Sequence, residues 1–400
     1  MRHHTAEILI VGAGIVGTTL ARRLVQAGCE NVVLLEKEPR AGLHASGRNS
    51  GVLHAGIYYA PDSLKARSCL NGNRLMRRYC KTKGLPLLEA GKVVVANGAQ
   101  ELDTLDELYR RAVANGARVR MIDAAELRRI EPSARTFDRA LHSLETAMVD
   151  PKQVLAALQQ DLLATGKVRI LFGCAFTGMK ASRVAMTTRG PIRWRRLVNA
   201  AGAHCDRVAH LFGVGRHLRI APFKGIYWRL KRGLPYTVNG NIYPVPDIRN
   251  PFLGVHFTRS VHGDVHLGPT AIPAFGRENY GLLEGIDSEW PRILSTDLVL
   301  LMRNAKFRSV AFSEPRKYLK RFFFDDAQKL LGQLRIEDME ASPKVGIRPQ
   351  LVDWRTKELV MDFMVVADGD ALHVLNPISP AFTSSMDLAD TLVREQFGKG

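Results

Sequence analysis

The sequence predicts an α/β protein with a three-layer domain on a parallel sheet and an inserted α+β domain built on a mixed sheet. Three observations carry that prediction. An apolar run at residues 7–11 leads into Gly12-Ala13-Gly14-Ile15-Val16-Gly17, and a second apolar run at 32–35 ends on Glu36. Further along, βα patterns alternate with stretches rich in strand formers. Residues 193–201 then read as another strand, ending at Gly202.

The opening segment is a strand, a glycine turn, a helix over about residues 18–27 and a second strand with an acid at its tip. Each part suits a dinucleotide. Gly12 makes the tight turn, Gly14 lets a pyrophosphate approach the backbone, and Gly17 lets the helix pack on the strand. The helix start, at Ile15 and Val16, supplies N–H groups and positive dipole. Glu36 can accept hydrogen bonds from ribose hydroxyls. A bare glycine motif is weak; this one has both flanking strands, the helix and the acid, and together they make a Rossmann-like domain.

The remaining elements follow from pattern. Residues 91–96 (GKVVVA) are strand-like, 101–114 have helical spacing, and 123–130 form a short capped helix. Asp150-Pro151 starts a helix with proline at its first position. Strands are expected at 168–172, 184–188, 193–201, 227–230, 255–257 and 265–268. Helices are expected at 292–312 and 325–334, strands at 359–366 and 372–375, and a terminal helix from Ser384. The nucleotide domain is then assembled from residues 1–85, 146–220 and 339–400, with a substrate domain from 86–145 and 221–338.

The chain has 400 residues, for which about two domains is the prior. Five scattered cysteines with no CxxC pair indicate neither a disulfide framework nor a metal site, and no metal is expected. No secretory leader and no apolar run of the ~20 residues that cross a bilayer is read, so a cytoplasmic protein is expected. The formal charge is +18, from 57 basic and 39 acidic residues, which favours anionic partners. Between Arg303 and Arg321 lie seven basic residues against the single acid Glu314, followed by Phe322-Phe323-Phe324. That pattern suits peripheral contact with the inner face of a membrane. A solvated helix face with its phenylalanines in the core has the same pattern. RNA binding would explain the charge, but no RNA-binding motif is seen and no nucleic acid is expected as a partner.

The stretch 42–59 (GLHASGRNSGVLHAGIYY) is rich in small residues that permit close approach of a flat ligand. With the opening motif it resembles the D-amino-acid-oxidase-like FAD flavoproteins, and among them the L-2-hydroxyglutarate oxidases and dehydrogenases, which carry a similar run into HxGIYY. Here that is His54 to Tyr59. The resemblance continues through Val198-Asn199-Ala200-Ala201-Gly202, Tyr243-Pro244-Val245-Pro246-Asp247, the block 251–259, the segments 268–270 and 275–280, Gly346-Ile347-Arg348-Pro349-Gln350, His373 to Asn376 and the loop beyond.

This resemblance implies FAD, held non-covalently, although His44 sits where some relatives of the wider superfamily link flavin through histidine. It implies cofactor contacts from Gly12, Gly14, Ile15, Val16, Gly17, Glu36, Lys37, Ser46, Asn49, Ser50, Gly51, Ala201, Gly202 and Arg348. Phe176 would offer main-chain groups to adenine, and Ser379, Pro380, Ala381, Phe382 and Thr383 would lie by the flavin. The implied chemistry is oxidation of a small 2-hydroxy acid to the 2-oxo acid, with L-2-hydroxyglutarate as the foremost substrate and quinone or oxygen as electron acceptor. A base working near neutral pH is most readily histidine, and His54 and His256 are the candidates. Lys224, Arg259 and Arg277 are candidate cations for the substrate carboxylates, with Tyr59 beside them. Two departures touch substrate identity: Pro222-Phe223-Lys224-Gly225-Ile226 where the group more often has PFRGE, and NPISPAFT at 376–383 where it commonly has NAPSPAAT. An amine or amino-acid oxidase on the same fold is the alternative.

Overall fold

Runs of alternating and continuous apolar residues build two sheets, each the centre of one compact unit of the chain. The computed structural model describes residues 4–247 and 253–398. Unit 1 comprises residues 1–49, 151–222 and 348–400, and unit 2 residues 50–150 and 223–347. Pro251 and Phe252 of the expected 251–259 block lie outside the described residues.

In unit 1 the strand His4–Val11 sits at the centre, parallel to Val32–Leu35 on one side and to Gly190–Asn199 on the other. Val168–Leu171 adds to Val32–Leu35 in parallel, and Ala371–Leu375 adds to the end of Gly190–Asn199. A sheet this parallel must be covered on both faces, so its strands are continuously apolar. Val32 to Leu35 are all buried accordingly. The helix Ile15–Gln26 packs against Pro151–Ala164 and the terminal helix Ala381–Phe397, and Arg23 pairs with Asp390 at 3.0 Å.

In unit 2 a mixed sheet runs Val265–Gly268, His256–Arg259, Asn241–Pro244, Lys92–Val95, Arg139–Ser143 and Val119–Asp123. Alternation gives it two apolar faces. Val93, Val95, Ile242 and Phe257 pack with Phe323, Ala327 and Leu330 of the helix Lys320–Leu330. Val94 and Tyr243 face the other way, onto Ile57, Tyr58, Leu70, Leu105 and Leu108. Asp123 caps the helix Ala124–Ile130, accepting from Glu126 N at 2.7 Å.

Several expectations are corrected. Residues 50–85 and 146–150 belong to unit 2, because Val52–Leu53 and Leu87–Leu88 both pair with Ala147–Val149 in a small sheet. The helix expected at 292–312 is two, Trp290–Arg303 and Ala305–Ser313. Asn304 breaks it by leaving helical geometry and capping the second helix through Phe307 N at 2.9 Å. The helix expected at 325–334 starts at Lys320 and ends at Leu330, so Phe322-Phe323-Phe324 are helical. Phe323 is core, Phe324 is partly buried and Phe322 is exposed, with Arg316 over its ring. The strand expected at 359–366 is two short ones, Glu358–Leu359 and Met364–Asp368. The terminal helix begins at Ala381, three residues early.

Two substitutions test this packing. A Cβ at Gly17 would lie 2.0 Å from Gly12 O, so Gly17→Ala must separate helix from strand. A loss of about 1–3 kcal/mol is expected in urea unfolding. Asn73 Nδ2 donates to Leu53 O, His54 O and Glu145 O at 2.9–3.1 Å in the buried interior. Asn73→Ala strands those carbonyls and is expected to cost about 1–3 kcal/mol, read from the same titration.

Candidate active site

In unit 1 the strand His4–Val11 delivers the chain into a turn that only glycine makes here. Gly12 has φ +107°, and a Cβ there would meet Ala200 O at 2.4 Å. The glycine turn and the second signature, Val198 to Gly202, are therefore in direct backbone contact. Asn199 is the reason that signature holds its shape: its Nδ2 donates to Cys205 O at 2.7 Å, and its Oδ1 accepts from Ala201 N at 3.2 Å.

The helix Ile15–Gln26 starts at Gly14 with no acid in its first turn. Ile15 N donates to Ser46 Oγ at 2.9 Å, which brings residues 42–49 onto the helix start. Glu36 accepts from Ala13 N at 3.3 Å and from Glu38 N at 3.1 Å, and burial holds its carboxyl above the usual range. Gln159, which the sequence reading missed, braces the turn from Ala13 O at 2.9 Å. A helix dipole with no acid of its own suits a pyrophosphate, and a half-buried carboxylate at the strand tip suits ribose hydroxyls. These residues fit FAD.

The other expected cofactor residues divide between the units. Lys37 pairs with Glu38 and lies 2.9 Å from His44 Nε2, and His44 Nε2 also meets Glu38 Oε1 at 2.9 Å. Asn49 Nδ2 donates to Ala45 O and Ser46 O. Phe176 opens the strand Phe176–Ala181, opposite Thr187. Arg348 is half-buried in the strand Met339–Asp353. Ser379 is exposed and Pro380 precedes the terminal helix, while Ala381, Phe382 and Thr383 form its first turn, again without an acid. Ser50 and Gly51 fall in unit 2.

In unit 2, His54 to Tyr58 are buried in a loop whose backbone is fixed by side chains. Besides Asn73 on His54 O, Asn115 Nδ2 donates to Gly56 O at 2.8 Å and Tyr59 O at 3.1 Å. Cys69 donates to His54 O, and burial pushes its thiol up to about 12, so it stays protonated. Ser63 caps the following helix Leu64–Thr82 through Ala66 N. Tyr59 is half-buried, with Lys65 Nζ 6.0 Å from its ring centre.

His256 opens the strand His256–Arg259 and stacks on Tyr243, with ring centres 3.8 Å apart and planes at 21°. Its Nδ1 lies 2.8 Å from Gly254 O. A carbonyl only accepts, so Nδ1 carries the proton and Nε2 of the neutral ring is left as acceptor. Burial pushes the imidazole down to about 3, with Lys92 adding to the effect. Lys92 is a second residue that the sequence reading missed. Its Nζ stands 4.4 Å from the Tyr58 ring centre and 4.8 Å from that of Tyr243.

The candidate substrate cations have different surroundings. Arg277 is buried, and its Nε donates to Glu289 Oε2 at 2.6 Å, so its charge is already matched. Lys224 Nζ donates to Gly281 O at 2.5 Å, and burial lowers its pKa. Arg259 is half-buried and reaches Val238 O through Nη1 at 3.3 Å.

Comparison with known proteins adds to this geometry. L-2-hydroxyglutarate dehydrogenase of Indibacter alkaliphilus is 35% identical over 96% of this chain and 97% of its own length. The human mitochondrial L-2-hydroxyglutarate dehydrogenase is 37% identical over 97% of this chain and 88% of its own. Among solved structures, the FAD-bound, dithionite-reduced L-α-glycerophosphate oxidase of Mycoplasma pneumoniae superposes with a TM-score of 0.79 at 21% identity, covering 99% of this chain and 96% of that one. The model of the FAD dependent oxidoreductase family matches residues 7–391, and with the nucleotide cradle of unit 1 in place the chain belongs to that family.

Proposed function

We propose that this flavoenzyme oxidises L-2-hydroxyglutarate to 2-oxoglutarate. The observation that carries the reading is 33–37% identity to proteins named L-2-hydroxyglutarate dehydrogenase from both bacteria and animals, over at least 96% of the chain. FAD, when bound, supplies the acceptor for the two electrons and the hydrogen leaving C2. The helix start after Gly12 and Gly14 would hold its pyrophosphate and Glu36 its ribose.

Unit 2 supplies the acid–base chemistry. His256 is the base: its tautomer leaves Nε2 able to take the hydroxyl proton as the C2–O bond becomes a carbonyl. The hydroxyl thus loses one proton to protein and C2 loses one hydrogen with two electrons, which balances the oxidation. His54 lines the same unit as an orienting partner. Lys224 and Arg259 carry the positive charge a dicarboxylate needs, Arg259 with the geometry for a two-toothed clamp.

Quinone is the preferred electron acceptor, reached at a membrane surface. The supporting observation is a set of exposed apolar side chains, Leu298, Met302, Phe312 and Leu319, interleaved with exposed Arg303, Lys306, Arg308, Arg316 and Arg321. Among the described residues no helix is long and apolar enough to cross a membrane, so attachment would be to one face.

Anaerobic mixing with a substrate panel tests the reaction. L-2-hydroxyglutarate is expected to bleach the flavin absorbance faster than other 2-hydroxy acids. Bleaching by an amino acid, with none by any hydroxy acid, would replace the reading by an amine oxidase. His256→Asn is expected to lower kcat by about 100-fold or more while retaining FAD. For the membrane surface, the protein is expected to pellet with anionic vesicles at low salt and to be released as salt rises. A protein left in the supernatant at low salt removes that part of the proposal.

A further inference from the structure

Lys92 is the most unusual buried group in unit 2. It opens the strand Lys92–Val95, and alternation points it, with Val94, to the face that carries Tyr243 and His256. The residue is 1% exposed, and among the described residues its Nζ has no hydrogen-bond partner. An ammonium placed so would ordinarily be paired with an acid, because leaving water costs several kcal/mol. Among the described residues, no carboxylate pairs with Lys92. Two aromatic faces take that place, Tyr58 and Tyr243.

Tyr243 is shared: the ring that meets the Lys92 ammonium also stacks on the His256 imidazole. A protonated His256 would put a second cation on that ring, at the short range and low dielectric where like charges repel most. We propose that Lys92 is a positioning residue for the oxidation, an ammonium on the shared Tyr243 ring that sets how readily the His256 imidazole takes up a proton at Nε2. This rests on His256 being the base.

The surroundings support the assignment. Among the described residues, Tyr58 meets Lys92 through its ring and Cys69 acts on Lys92, while Tyr59 acts on Tyr58, Lys65 on Cys69 and Tyr227 on Tyr243. Burial raises Tyr58, Tyr227 and Cys69, so none of these supplies a negative charge near neutrality. Burial pushes Lys92 itself down to about 7. It is therefore charged below that pH, over the range in which an ordinary histidine begins to take up a proton.

The test uses the FAD-loaded enzyme with Lys92→Met and Lys92→Arg. Two readouts are compared: the pH profile of kcat/KM for L-2-hydroxyglutarate, and the ring-nitrogen NMR titration of His256, assigned by its absence in His256→Asn. Removing the positive charge makes the imidazolium easier to form. In Lys92→Met both the acid limb of the profile and the ring titration are expected to move to higher pH, by enough to lower kcat/KM about 10-fold on that limb. Lys92→Arg keeps the charge and is expected to leave both in place.

An unmoved ring titration in folded, FAD-bound Lys92→Met, alongside an inactive His256→Asn, overturns the role of Lys92 alone. A His256→Asn enzyme that keeps its activity overturns the base assignment on which the proposal rests. Lys92→Gln, also uncharged, is read by the same criteria if methionine is not tolerated.

Discussion

Unit 1 depends on one close approach of backbone to backbone. Gly12 turns against Ala200 O while Gly17 seats the helix Ile15–Gln26 on the carbonyl of that same turn. A side chain at either position would drive the strand, the helix and the 198–202 signature apart. With the approach intact, the first N–H groups of the helix are presented beside Glu36, and no acid of the first turn cancels the dipole. Ser46 and Gln159 hold this arrangement from two further segments of the chain. The positive helix end and the negative strand tip are thus built into one turn, which is what a molecule with a pyrophosphate and a ribose requires.

Unit 2 follows the opposite logic. Its sheet is apolar on both faces, yet one face carries Lys92, Tyr243 and His256 among aliphatic neighbours. Polar groups buried this way are costly unless their chemistry is used or matched. His256 is matched at Nδ1 by Gly254 O, and the His54 loop is tied by the Asn73 and Asn115 amides. Bound FAD would supply the redox chemistry, and what unit 2 holds fixed is the His256 tautomer.

Much of unit 1 was legible in the sequence because its demands are local. The strand–turn–helix, Glu36 and the 193–202 strand are each written in consecutive residues, and each appears in the fold. The Asn304 break went unread because Asn304 interrupts a region whose apolar spacing is otherwise helical, and capping depends on a side-chain bond. Residues 50–85 were expected in the nucleotide domain, since the 42–59 stretch reads as one ligand-facing run; pairing across to Ala147–Val149, nearly a hundred residues away, takes them into unit 2. Lys92 was hidden by its own strand. GKVVVA reads as buried strand, and only the register that sets Lys92 and Val94 on the Tyr243 face gives the lysine a meaning. The pairing of Arg277 with Glu289, twelve residues on, is written in no local pattern.

The central claim is that a hydrogen leaves C2 of L-2-hydroxyglutarate for the flavin while the protein takes the hydroxyl proton. Rapid-mixing measurement of flavin reduction by the acid bearing hydrogen or deuterium at C2 tests it most directly. Reduction that saturates with substrate and slows severalfold on deuteration is expected. Equal rates for both isotopologues under saturating substrate, with the flavin fully reduced, would contradict a C2 hydrogen moving in that step.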